Sequence, residues 1–226
     1  MYESLQVEHT STVERVVEEL RRALFEGDIA PGTPLREVGL ADQIGVSRST
    51  IREALSVLVA EGLATRVPNR GVAVTSLRHQ DVTDVCRARV ALEAAGVRRW
   101  PSASRRQQDA VRQALAEFTR TADSGASTAD VTAAHLDIHR AVVGLSGSER
   151  LLATADSLNA EIRLALATVD RVRRNTREQV TSHHELLTLL EDGRIEEAVR
   201  ALEHHLRAAE DSLVQAIHQG GRRRRT

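Results

Sequence analysis

The stretch LADQIGVSRSTIREALSVLVAEGL, from Leu40 to Leu63, decides the fold. Its first part is the end of a short helix, about Glu37 to Ile44, stopped by Gly45. A second helix begins after Ser47 and lines up Ile51, Ala54, Leu55, Leu58 and Val59 on one face, closing at Gly62. Ala41 is small where two helices must cross closely, Gly45 permits the backbone turn, and Val46 plugs that turn into a core. Ser47 is placed to cap the second helix. Two short helices joined in this way form a helix-turn-helix. Arg48, Ser49, Thr50 and Arg52 then occupy the first turn and a half of the second helix, the end that enters a DNA major groove. Arginine can bind guanine O6 and N7 with two hydrogen bonds, and hydroxyls reach phosphates or base edges.

The flanks complete the unit. Upstream, Val13, Val16, Val17, Leu20 and Leu24 are spaced as a helix face, with capping candidates at Thr10 to Thr12. Pro31-Gly32-Thr33-Pro34 forbids its continuation. Downstream, Leu63 to Val67 and Val72 to Thr75 are strand-like runs joined by Pro68-Asn69-Arg70-Gly71, which predicts a small hairpin. The order is that of a winged helix-turn-helix over residues 10–77. Beyond it, six helical segments follow, near 79–99, 103–123, 128–146, 148–170, 174–192 and 194–218, with short connections between them. They predict an antiparallel six-helix bundle over 78–219. The fold class is therefore mainly α. Residues 1–9 and the Arg-rich tail 220–226 read as disordered ends, the tail being a solvated terminus or a phosphate-binding arm.

Composition narrows the functional classes. The 226 residues carry 31 basic and 32 acidic side chains, and every basic residue is arginine. With no lysine, Schiff-base and P-loop lysine chemistry are excluded. Four aromatic residues are too few for a platform that stacks single-stranded bases. A lone cysteine, Cys86, excludes an internal disulfide and fits a reducing compartment. No apolar run approaches the ~20 residues of a membrane-spanning helix, and the N-terminus has no secretory layout. A cytoplasmic protein is expected. Residues 1–78 hold 9 arginines against 11 acids, whereas 36–78 hold 6 against 4, so positive charge is confined to the reading half. Few phosphate contacts per chain imply a shallow salt dependence, with useful affinity coming from a homodimer.

The bundle carries a second constellation. His135 and His139 stand four residues apart on a face shared with Val131, Ile138 and Val142. His183 aligns with Val180, Leu186, Leu187 and Leu190, and His205 with Leu202, Leu206, Ala209 and Leu213. Each alone reads as a hydrogen-bonded core histidine. Together, four inward imidazoles on three helices are costly to bury without shared partners, and they suit a divalent-metal site. Four neutral nitrogen ligands favour Zn²⁺, Ni²⁺ or Cu²⁺ over Mn²⁺.

Residues 12–75 resemble the N-terminal domain of the GntR family of bacterial transcription regulators. The resemblance rests on Gly27 to Leu35 (G-x-x-x-P-G-x-x-L), Leu40 to Leu55 (L-A-x-x-x-G-V-S-R-x-x-I-R-E-A-L) and the wing tip Asn69-Arg70-Gly71. It implies operator contacts at Ser47, Arg48, Ser49, Thr50, Arg52 and Gly71, with Asn69 and Arg70 beside them. A basic residue common in the family's preceding short helix is replaced here by Val38, with Arg36 nearby. Residues 79–218 resemble the all-helical ligand-binding domain (FCD) of the FadR-type subfamily. That resemblance implies Zn²⁺ or Ni²⁺ held at His135, His139, His183 and His205, with His135 standing where most members have aspartate. Arg89 matches an arginine that often lines the effector pocket; an i,i+4 salt bridge to Glu93 is its alternative use. Asn159 and Arg163 are pocket candidates from their helix faces only.

Three functions remain. In the first, a regulator's operator affinity is controlled by a small carboxylate bound beside the metal. In the second, the ion itself is the effector. The third, a His-ligated metallohydrolase, lacks a suitably spaced carboxylate base. Its HLDIH element also has no Glu next to the first histidine, as zinc proteases require.

Overall fold

The computed structural model describes residues 11–167 and 176–223. It divides between Thr75 and Ser76 into two compact units. The expected disordered N-terminus lies outside the described residues, as do Arg224 to Thr226.

The first unit runs α1 (Thr12–Phe25), β1 (Pro34–Leu35), α2 (Glu37–Ile44), α3 (Arg48–Ala60), β2 (Ala64–Val67) and β3 (Gly71–Val74). Helix α1 starts with a capping box: the Ser11 hydroxyl accepts from the Glu14 backbone N–H, and the Glu14 carboxylate accepts from the Ser11 N–H. Its buried residues Val16, Val17, Leu20 and Leu24 pack on α3, whose Ile51, Ala54, Leu55 and Leu58 are almost fully enclosed. Gly45 ends α2 in the left-handed conformation (φ 75°), which leaves only Val46 between it and the cap of α3. The hairpin expected from the sequence is a three-stranded sheet of order β1-β3-β2. Two residues after the Pro-Gly turn, Pro34 and Leu35, pair antiparallel with Ala73 and Val72 and cover the outer edge of β3. Pro34 has no N–H to donate, which suits this edge position.

The second unit contains α4 (His79–Arg99), a 3₁₀ turn (Trp100–Ser102), α5 (Arg105–Asp123), α6 (Thr128–Gly144), α7 (Glu149–Leu166), α8 (Thr176–Glu191) and α9 (Ile195–Arg223). Serine caps at Ser104, Ser127 and Ser148 start three of them. Helix α9 continues five residues past its expected end, through Gly220 and Gly221 to Arg223. Arginine is a good helix former, and cations are favourable at a helix C-terminus. Helix α4 packs on α9, α6 and α7, while α5 packs on α6 and α8. One apolar cluster is centred on Val97, Trp100, Val142, Leu190, Leu202 and Leu206. A second gathers Val82, Cys86, Leu136, Ile162 and Leu213, and a third Leu115, Phe118, Ala134 and Ile138. The polar site lies among these clusters, where α4, α6, α8 and α9 converge.

Candidate DNA-reading surface and metal centre

The first turn of α3 is organised around Ser47. Its hydroxyl accepts from the Thr50 N–H at 3.1 Å and lies 2.7 Å from Ser49 Oγ and 2.8 Å from Thr50 Oγ1. Arg48, Ser49 and Arg52 project from this turn, exposed. Arg52 reaches back to α2, donating from Nε and Nη2 to the Glu37 carboxylate at 3.2 and 2.9 Å. Arg36 is exposed at the N-terminal boundary of α2. Val38 is 52% exposed, the one large hydrophobic in that state among the described residues. The wing tip is exposed as well, with Asn69 (φ 59°) and Gly71 (φ 86°) in the left-handed region and the Arg70 N–H bonded to the Val67 carbonyl. Arg66 of β2 donates to Ser56 Oγ of α3 at 3.1 Å, which ties the wing to the second helix.

In the second unit the four histidines meet. One ring nitrogen from each of His135, His139, His183 and His205 lies within 4.8 Å of all the others. His135, His139 and His183 are buried, His139 being only 2% exposed. Hydrogen-bond partners assign the protons. His183 Nδ1 is 2.7 Å from the Gln179 carbonyl oxygen, which only accepts, so Nδ1 carries the hydrogen. His139 Nδ1 donates to Glu93 Oε2 at 2.6 Å. In their neutral forms both therefore present a bare Nε2 lone pair, yet those two nitrogens are 3.4 Å apart. Nε2 of His135 is a further 3.2 Å from that of His139, and His205 Nε2 is buried without a hydrogen-bond partner. The facing lone pairs of His139 and His183 repel unless a cation lies between them. A tetrahedral ion with bonds of about 2.0–2.1 Å has ligand–ligand edges of roughly 3.3–3.4 Å, close to both separations. The donor set fits a borderline-soft divalent ion.

Burial keeps the imidazoles neutral. It holds His135 and His139 well below the ordinary histidine range, with neighbouring positive groups adding to the effect. His183 is lowered by burial and partly restored by its Gln179 bond. Burial, then His183, lowers His205 to about 3. A neutral imidazole is the form that binds metal. The Glu93 carboxyl is pushed up by burial and pulled back chiefly by Arg89, which donates from Nε at 3.0 Å. Arg89, Glu93 and His139 thus form a buried relay that fixes the His139 ring, the carboxylate–histidine arrangement found behind metal ligands.

A cavity of about 640 Å³ opens over His135, His139 and His205. Arg89, Thr132, His135, His139, Gln179, Ser182 and His205 contribute to its wall, with Cys86, Ile162 and Leu213 supplying apolar surface. Arg89 is only 4% exposed, and its Nη2 has no hydrogen-bond partner. Its Nε serves Glu93 while the side chain also lines the cavity. Asn159 and Arg163 do not line it. Asn159 instead donates to the Leu136 carbonyl at 3.4 Å. Sequence reasoning used Glu93 only as a partner for Arg89 and passed over Gln179 and Ser182. Gln179 stands one turn before His183, and Ser182 Oγ is 3.4 Å from His205 Nδ1. Helix spacing could have suggested Gln179.

Residues 12–74 match the model of the bacterial regulatory proteins, gntR family, and residues 84–208 match that of the FCD domain. This chain belongs to the GntR family. The Nta operon transcriptional regulator of Aminobacter aminovorans is 31% identical over 83% of this chain and 87% of its own length. A GntR regulator from Rhodococcus sp. RHA1 superposes with a TM-score of 0.78 at 29% identity, covering 90% of this chain and 98% of its own. E. coli McbR/YncC shares the fold, with a TM-score of 0.73 at 20% identity, over 92% and 99% of the two chains. The protein is a DNA-binding transcription regulator with an FCD domain and not an enzyme. Among the described residues no helix is long and apolar enough to cross a membrane.

Proposed function

We propose that this GntR regulator is a cytoplasmic homodimer whose operator affinity is set by a small carboxylate bound beside a divalent metal. The dimer would seat two α3 helices in successive major grooves about 34 Å apart. Arg48 and Arg52 would read bases there, helped by Ser47, Ser49 and Thr50. Arg36 and the wing tip Asn69-Arg70-Gly71 would hold the backbone. His135, His139, His183 and His205 would hold Zn²⁺ or Ni²⁺. When bound, the ion would offer a positive centre that could expand beyond its four imidazoles to take a carboxylate oxygen. Arg89 supplies the protein's own anion-binding group at that cavity. Asn159 and Arg163 remain second-tier candidates that a ligand would have to reach by rearrangement.

One observation carries the reading: the unprotonated Nε2 atoms of His139 and His183 face each other at 3.4 Å beneath a cavity that contains Arg89. The cavity also favours an organic effector over the ion alone, since a pure ion sensor needs no chamber of about 640 Å³ above its ligands. Coupling of ~1–3 kcal/mol between the two sites would change operator affinity roughly 5- to 150-fold.

The test begins with elemental analysis of protein purified without a His-tag or chelator. About one Zn or Ni per chain is expected, together with metal-dependent stabilisation by small carboxylates in a thermal-shift panel. His183→Ala should lose the metal and the effector response while effector-free operator binding persists. A protein that takes up neither ion after incubation would overturn the metal reading. Response to the ions without any carboxylate would transfer the effector role to the metal.

A further inference from the structure

Arg52 is held before any DNA arrives. It is the fifth residue of α3, with 61% of its side chain exposed, yet its guanidinium is clamped by a carboxylate from another helix. The Nε–H and one Nη2–H meet the two oxygens of Glu37 at 3.2 and 2.9 Å. These two N–H groups form the side edge of the guanidinium plane. Pairing there leaves the end edge, Nη1 with the second N–H of Nη2, pointing onward from the side chain. That edge has the two parallel donors that match guanine O6 and N7.

We infer that Glu37 is a positioning residue for base recognition: it buttresses Arg52 so that the free end edge reads a guanine. The inference rests on the operator-reading role proposed above for α3.

Two physical consequences separate this arrangement from an ordinary surface ion pair. An arginine side chain carries a large rotamer entropy, and the clamp removes much of it before binding. The pair is also electrically neutral, and its carboxylate repels phosphate. A buttressed Arg52 therefore contributes discrimination between bases and little counter-ion release. Arg48, one turn earlier, acts on Glu37 only through its charge and is not clamped by it.

The experiment measures operator affinity and its salt dependence for wild type, Glu37→Gln, Glu37→Ala, Arg52→Ala and the Glu37→Ala/Arg52→Ala double variant. The DNA panel carries each operator guanine replaced in turn, including by 7-deazaguanine, which lacks N7. Circular dichroism and thermal unfolding confirm that each variant is folded. Arg52→Ala should lose discrimination at one G·C pair by roughly 5- to 150-fold, with the salt slope almost unchanged. Glu37→Ala should relax the same pair and no other, and the double variant should add little to either single change.

Three results would overturn the inference. In the first, Glu37→Ala strengthens binding equally on every sequence and steepens the salt slope by about one, as expected if Arg52 leaves Glu37 for a phosphate. In the second, Glu37→Ala relaxes a different base pair from Arg52→Ala, as expected if Glu37 itself accepts from a cytosine amine. In the third, Arg52→Ala leaves discrimination intact at every position. An Arg48→Ala control then tells a failure confined to Arg52 from a failure of the whole reading helix.

Discussion

At the scale of single residues, the site depends on which nitrogen of each histidine is protonated, and that is set one contact away from the cavity. Glu93 fixes His139 by accepting from Nδ1, so its carboxylate charge supports the lone pair on Nε2 that faces His183. Glu93→Gln keeps the volume but removes the charge. Metal affinity should fall about 10- to 100-fold, measured by competition with a coloured chelator, and unchanged affinity would show that the relay is only structural. The face positions of the four histidines were legible in the sequence because helix periodicity alone assigns a face. The second use of Glu93 was not, since Arg89 satisfied it locally at i+4 and the contact to His139 spans 46 residues. On the DNA side, exposed Val38 offers a complementary test. Val38→Arg should raise affinity for all sequences and steepen the salt slope by about one phosphate contact, read by titration at two salt concentrations.

At the scale of elements, the crossing of α4 and α6 explains how Glu93 reaches His139. A Cβ built on Gly96 would fall on the Val142 carbonyl oxygen, so only glycine lets these helices approach so closely. Glu93 precedes Gly96 by three residues, and His139 precedes Val142 by three, which places the carboxylate–imidazole contact one turn from the crossing. Gly96→Ala must therefore push the helices apart. It should cost about 1–3 kcal/mol or more by overpacking and should also weaken metal binding, although Gly96 touches no ligand. Thermal unfolding and the same chelator competition measure the two effects, and a loss of stability with metal affinity intact would disconnect the crossing from the site. Most helices were readable from apolar spacing, serine caps and glycine stops. Strand β1 was not, because Pro34 and Leu35 have too few residues to show a period and become a strand only when β3 offers an unpaired edge.

At the scale of the molecule, the two units differ in their histidines, and that gives each its own response to pH. Between residues 12 and 75 there is no histidine, whereas the bundle encloses four that burial keeps neutral. In an unfolded chain these titrate near their ordinary value of about 6.5. Below that pH the unfolded bundle binds protons that the folded bundle refuses, so stability falls as pH falls. Each such histidine contributes up to about 1.4 kcal/mol per pH unit. For His205 the loss continues towards its folded value of about 3. Glu93, raised by burial, acts in the opposite sense but only nearer the carboxylate range. Calorimetry of metal-stripped protein should therefore show a bundle transition that drops steeply from pH 6.5 to 5, while the transition of the first unit barely moves. Added Zn²⁺ should raise the bundle transition alone, by about 2.7 kcal/mol at a hundredfold excess over its Kd. That gain should vanish on acidification as protons compete for the same nitrogens. His205→Gln should flatten the pH dependence of the stripped protein and reduce the gain from Zn²⁺. If the bundle transition instead holds level from pH 7 to 5 without metal, the imidazoles are already exchanging protons with solvent in the folded state. The closed, neutral cluster from which the metal site is argued would then not exist.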